Sequence, residues 1–185
     1  MSHAADTQWP RWEVLKQDAE GKPHQAVGSV HAADAEHALL MARTVFARRP
    51  SAVSMWVAPA ASVRSFTAQE LAEREAPTER APAAGAPERY LVVRKASHRR
   101  SMAFGELVGE VEGANVDEAL AAALARLAGE PVLALWLVEA RAVVRSDPAE
   151  ADPWFGPARD KTYKQQSVYS SRATARQDAA KGVPR

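Results

Sequence analysis

An α+β fold made of two tandem ββαβ units is predicted, and three observations predict it. One segment occurs twice; each occurrence carries two strand-like apolar runs around a turn; and each continues into a capped amphipathic helix and a third apolar run. The repeat is read first, because missing it would misassign the whole architecture. Val27-Gly28-Ser29-Val30, leading into Asp34-Ala35-Glu36-His37-Ala38-Leu39, recurs as Val108-Gly109-Glu110-Val111, leading into Asn115-Val116-Asp117-Glu118-Ala119-Leu120, at a constant offset. Upstream, Trp12-Glu13-Val14-Leu15 matches Tyr90-Leu91-Val92-Val93, and downstream Trp56 matches Trp136, with every length change falling in a loop. Loops tolerate insertion because closure entropy grows slowly with length.

Residues 11–17 and 89–95 read as first strands, and 25–31 and 107–112 as second strands. The first hairpin turn is marked by Asp18-Ala19-Glu20-Gly21-Lys22-Pro23, where glycine can take positive φ and proline donates no ladder hydrogen bond. Asp34 and Asn115 stand at N-cap positions, and Glu118 would complete a capping box with Asn115. Ala35, Ala38, Leu39, Ala42, Val45 and Phe46 recur at helical spacing, as do Val116, Ala119, Leu120, Ala123, Leu124 and Leu127, so each helix has an apolar face. Pro50 and Gly129-Glu130-Pro131 end the helices, and 54–58 and 133–138 read as buried third strands.

Each unit is therefore expected as a small antiparallel or mixed sheet with one helix on one face. The opposite face stays bare, and a unit of roughly 65 residues buries only a modest core, so the two copies are expected to pack as an intramolecular pseudo-dimer. The chain divides into a first repeat (9–66), a short helix and Ala/Pro/Glu linker (67–87), a second repeat (88–146), an aromatic C-terminal tail (147–169) and a disordered end (170–185). The short helix is signalled by Thr67 and Glu70, a capping-box pair.

Composition narrows the function. Hydrophobic residues make up 46% of the chain, which is ordinary for a globular protein that folds in water. Lys and Arg number 24 against 23 Asp and Glu, a net charge of +1, so no long-range field favours nucleic acid or anionic lipid. No apolar run is long enough to span a bilayer and residues 1–8 lack a signal-peptide core, so a cytoplasmic location without membrane attachment is expected. With no cysteine, disulfides, thiolate-held clusters and Cys nucleophiles are excluded. The five histidines are scattered and form no Glu-x-x-His pair of the kind a di-iron bundle uses, and no phosphate-binding glycine loop or Gly-x-Ser-x-Gly elbow occurs. Neither catalysis by this chain nor a cofactor or metal is expected.

Several blocks in order then resemble a known family. Trp9-Pro10-Arg11-Trp12-Glu13-Val14, Val27-Gly28-Ser29-Val30-His31-Ala32-Ala33-Asp34-Ala35, Ala42-Arg43, Arg48-Arg49 and Ser54-Met55-Trp56-Val57 resemble the body of the phenylacetyl-CoA epoxidase B subunit, the PaaB-type family. The tail Asp152-Pro153-Trp154-Phe155-Gly156-Pro157-Ala158-Arg159-Asp160-Lys161-Thr162-Tyr163-Lys164, with Tyr169, is similar to the family's tail but follows the second copy. Family members usually carry one repeat, and the second copy has Ala128-Gly129 in place of Arg48-Arg49.

The resemblance implies a structural or bridging subunit of a multicomponent monooxygenase that forms the ring 1,2-epoxide of phenylacetyl-CoA in aerobic phenylacetate breakdown. It implies catalytic di-iron oxygenase subunits as partners, with the reductase of the same complex as a further candidate and self-association left open. Candidate partner contacts are Trp9, Trp12, Arg48, Arg49, Trp154, Phe155, Lys161, Tyr163 and Tyr169; Trp56 and Trp136, at matching places in the third strands, are expected at the inter-repeat interface. Two other readings compete. Arg94, Lys95, His98, Arg99 and Arg100 concentrate charge at the second hairpin, which suits a nucleic-acid-binding module, although near-zero overall charge disfavours it. A cleft between the copies could instead hold an acyl-CoA ester.

Overall fold

A computed structural model describes residues 8–47, 52–74, 86–98 and 103–158. In chain order these form strands β1 (Arg11–Gln17) and β2 (Gln25–His31), helix α1 (Ala35–Phe46), strands β3 (Ser54–Pro59) and β4 (Val63–Thr67) and helix α2 (Ala68–Glu73). Then come β5 (Glu88–Lys95), β6 (Glu106–Gly113), α3 (Val116–Arg126), β7 (Ala134–Glu139), β8 (Val144–Arg145) and α4 (Ala151–Phe155). The class is α+β, and the two ββαβ units, β1-β2-α1-β3 and β5-β6-α3-β7, share one internal order with β1 or β5 in the middle.

Local chemistry accounts for the elements. Asp34 accepts a hydrogen bond from His37 N–H at 2.8 Å, and Asn115 accepts one from Glu118 N–H at 2.9 Å, so both helices start on their expected caps. Glu118 reaches back one residue further than the capping box predicts, taking Ala114 N–H at 2.9 Å. Gly21, with positive φ, makes the first hairpin turn. In both hairpins the register slips at the same place, opposite Val14/Leu15 and Val92/Val93, and a glycine of positive φ follows the bulge, Gly28 in one and Gly109 in the other. The repeated Val-Gly pair is thus a repeated bulge.

All strand pairings are antiparallel. Where the sequence predicts two small sheets, the strands of both units join in one sheet of order β4-β7-β5-β6-β2-β1-β3-β8. β2 meets β6 over a short stretch, where Ala26 N–H donates to Gly105 O at 2.9 Å and Phe104 N–H to Ala26 O at 2.7 Å. Only Ala60–Ser62 separates β3 from β4, yet the two lie six places apart in the sheet. Six strand spacings are roughly 29 Å on a flat sheet, whereas such a connection reaches about 14 Å, so the sheet has to curl until its ends approach.

The curling comes from an exchange. β4, which follows the first unit, pairs with β7 of the second from Val63↔Val138 to Thr67↔Ala134; β8, which follows the second unit, pairs with β3 of the first at Trp56↔Arg145 and Val57↔Val144. Met55 N–H donates to Ser146 Oγ at 3.0 Å and Met55 O accepts from Ser146 N–H at 2.8 Å, extending the second exchange. α2 follows β4 across: its Leu71 packs on the second unit's core, and Arg74 pairs with Asp117 at 3.1 Å.

Four apolar clusters result. α1 covers the outer face of the first unit over Trp12, Val14, Val30, Met55 and Val57, and α3 covers the second over Tyr90, Val92, Val111, Leu135 and Leu137. Between the two halves of the curled sheet lie Leu15, Ala26, Val93, Ala58, Leu91 and Val138, with Trp56, Trp136, Phe104 and Leu107 against them. Strand parity explains the division, since alternate residues of β3 and β7 face the helix and the interior.

A Cβ at Gly28 would stand 2.9 Å from the Phe46 ring of α1, in a backbone conformation that L side chains rarely adopt. Gly28→Ala is expected to lower stability by about 1–3 kcal/mol with the fold retained, read from urea unfolding midpoints at constant m-value.

Candidate partner interface

The interior is closed by two stacked pairs at corresponding places. Trp56 stacks on His24 with ring centroids 3.7 Å apart and 28° between planes, and Trp136 on Phe104 at 4.1 Å and 12°. Both indoles are half-buried, and each lies among residues of both units. Arg145, delivered by the exchanged β8, holds its guanidinium 4.6 Å from the Trp56 ring and its Nη2 3.6 Å from Glu110, a cation–π contact joined to an ion pair. His24 is buried and shares a hydrogen bond with Ser54 Oγ at 3.0 Å. Loss of hydration, with the positive charge of Arg145 adding to it, pushes its pKa from 6.5 down to about 4.

The protonated imidazole is therefore favoured by the unfolded chain. The stability that neutral His24 supports is fully present above about pH 6.5 and is lost as pH falls towards about 4, by at most on the order of 3 kcal/mol. His24→Phe, which installs the ring type that Trp136 meets in the other unit, is expected to flatten this slope. Unfolding midpoints at about pH 7.5 and pH 5 measure it: equal losses in wild type and variant would count against His24 as the titrating group.

The outer face of the first unit gathers several of the expected contact residues and reassigns others. Trp9 is 56% exposed and sets its ring edge-on to His37 at 4.9 Å, while His31 Nδ1–H donates to Trp9 O at 2.8 Å. Trp12 is buried beneath α1, its indole N–H donating to Ala32 O at 3.1 Å, so its ring builds the core. Val45, expected on the core face, is 54% exposed, because it lies at the border of that face in the last turn. With Leu40 at 46%, Met41 at 37%, His37 and Thr44, it makes an outward flank that the sequence reasoning missed. These residues share a side because positions three and four apart on a helix are neighbours. The signal was legible for Leu40 and Met41, which are apolar and fall outside the core-face spacing, but not for Val45, which fits that spacing.

The tail does not stand apart. After β8 it crosses to the first unit, where Phe155 is 2% exposed inside the core under α1. Trp154 is half-buried, donates its indole N–H to Glu150 Oε2 at 3.1 Å and lies 5.5 Å from the Arg43 guanidinium. Arg48, Arg49, Lys161, Tyr163 and Tyr169 lie outside the described residues. Every other fully buried residue of the core that Phe155 enters belongs to the first unit. Phe155→Ala is nevertheless expected to destabilise by about 3–5 kcal/mol, as deletion of a fully buried ring does. Thermal unfolding checks this, and a change below about 1 kcal/mol would show that the tail is not anchored there.

At the second hairpin Arg94 is ion-paired with Glu106 at 3.2 Å and with Glu130, and Lys95 lies 5.4 Å from the Phe104 ring. A surface hollow of about 400 Å³ is lined by Gln25, Lys95, His98 and Phe104 among others. Arg99 and Arg100 are outside the described residues. Among the described residues no group of three or more His, Asp or Glu side chains is placed to hold a metal, and no helix is long and apolar enough to cross a membrane.

The profile of the family described as phenylacetic acid degradation B matches residues 8–82 and again 88–176. The chain belongs to the phenylacetic acid degradation B family. Two matches to one family profile make each repeat a copy of the family's domain, with the boundary between them inside the segment that joins α2 to β5. The B subunit of the 1,2-phenylacetyl-CoA epoxidase of Escherichia coli (strain K12) is 38% identical over 71 residues, which are 38% of this chain and 75% of that protein. No solved structure matches the chain significantly.

Proposed function

We propose that this family member is a non-catalytic, structural subunit of a multicomponent phenylacetyl-CoA epoxidase and serves phenylacetate breakdown in the cytoplasm. One observation carries the proposal: both copies of the family domain merge into a single curled sheet whose interior is filled by their own side chains. An eight-stranded enclosure is just wide enough to be packed with side chains or to hold one small ligand. Here Trp56, Trp136, Leu91 and Val138 occupy it, which supports a scaffold over an acyl-CoA pocket. What the protein offers to others is its outer surface. Its partners in this reading are the catalytic di-iron oxygenase subunits and the reductase of the complex.

The nucleic-acid reading draws little support, because Arg94 is paired with Glu106 and Glu130 and a net charge of +1 gives the chain no long-range attraction for a polyanion.

Co-expression of the tagged full chain with the oxygenase and reductase components tests the proposal. The expected outcome is co-elution at low and moderate salt, epoxidation of phenylacetyl-CoA by the other components rising when the chain is added, and no turnover by the chain alone. Absence of both association and stimulation would reject it.

A further inference from the structure

We infer that the outward flank of α1, with Trp9 beside it, is the surface on which the first unit docks into an apolar groove of the oxygenase component. This rests on the function proposed above and names the part of the chain that would carry it.

The flank is contiguous. His37, Leu40, Met41, Thr44 and Val45 share one side of α1, and Trp9 continues the patch through its edge contact with His37. Trp9, Leu40, Met41 and Val45 are the exposed large apolar side chains of this region. Together they make a patch on the order of a few hundred square ångströms, the size at which an exposed apolar surface marks an interaction site.

The fold does not require it. The corresponding positions of α3 are Glu118, Ala121, Ala122, Ala125 and Arg126, so an equivalent helix on an equivalent sheet does without large apolar side chains there. Ala122 packs on the second core and Arg126 lies over Gly109, a place that Phe46 fills over Gly28 in the first unit, so the exposed Leu40 and Val45 are not needed to cover the sheet and fit an external contact.

Shape and area favour a groove over a second copy of this chain. A two-fold contact of α1 on α1 would set one convex helix on another and bury little more than the patch itself, well short of the roughly 800 Å² per partner that stable interfaces use. A groove would cover the flank together with Trp9 and its surroundings, as in helix-in-groove recognition. Glu36 and Arg43, one charge of each sign on the rest of the helix, give the face no strong polarity, so the matching groove is apolar and nearly neutral.

Two variants of the full chain test this, L40D/V45D and Trp9→Ala, beside the control A121D/A125D on α3. Each is assayed for folding by thermal unfolding, for mass in solution by light scattering, and for binding to the purified oxygenase component. The expected result is wild-type folding for all three, a loss of oxygenase affinity of about tenfold or more for the two α1-face variants, and none for the control. Unchanged affinity in L40D/V45D and Trp9→Ala overturns the inference, as does an equal loss in the control. A wild-type dimer that L40D/V45D dissociates overturns it in favour of a second copy. Failure of the wild-type chain to bind any oxygenase component would instead reject the function on which the inference rests.

Discussion

Three residues of turn, Ala60–Ser62, carry the chain from β3, next to one end of the sheet, to β4 at the other, and three more, Ala140–Ala142, precede the reciprocal crossing to β8. Connections this short hold only if the sheet ends stand close, so the exchange forces the curl, and the curl creates an interior. Neither unit could close that interior alone: the face that one unit leaves bare, Leu15 and Ala58, is covered by Val93, Leu91 and Val138 of the other. Burial of this second face supplies what a unit of roughly 65 residues with one helix lacks. Edge protection comes from the same source, since β3 and β7 would each be open edges without the exchanged strand.

Under the same constraint, the segments outside the two repeats are not appendages. α2 and α4 ride on the exchanged strands and deliver Leu71 and Phe155 to the helix-covered core of the opposite unit. Each unit is thus held at its centre by its own hairpin and at its edge by the other unit. Loss of one contact at an edge weakens both, which is what couples the two halves energetically.

The parts of this architecture that were legible in the sequence are those governed by local rules. Asp34 and Asn115 announce helices because a short polar side chain can take an orphan N–H, and Gly21 announces a turn because positive φ suits it. The third strands were legible as buried apolar runs, but their pairing beside the first strands was not. The exchange was not legible, because Val63–Thr67 and Val144–Arg145 are short and carry few buried side chains; what places them is backbone pairing, which any residue with an N–H can make. The contact surface was half legible. Trp9 and Trp12 look alike in sequence, and only tertiary packing sends one to solvent and the other beneath α1.

Fusion of two copies also changes what substitution can do. In a pair of identical subunits every replacement enters the shared interior twice, whereas here it enters once. Glu13 and Leu91 occupy matching places on β1 and β5, yet one is a carboxylate whose pKa burial raises against the pull of Arg11, and the other is fully buried hydrocarbon. On the matching Trp56 and Trp136, different rings stack in the two copies, His24 in one and Phe104, from the neighbouring position, in the other. A second buried carboxylate, or a second buried imidazole, would double the desolvation cost, so divergence at these places spares the fold that penalty. The same freedom reaches the outer helices, where Leu40, Met41 and Val45 in one copy stand against Ala121, Ala122 and Arg126 in the other. One chain can therefore present two different faces on a scaffold whose two halves have kept a common fold.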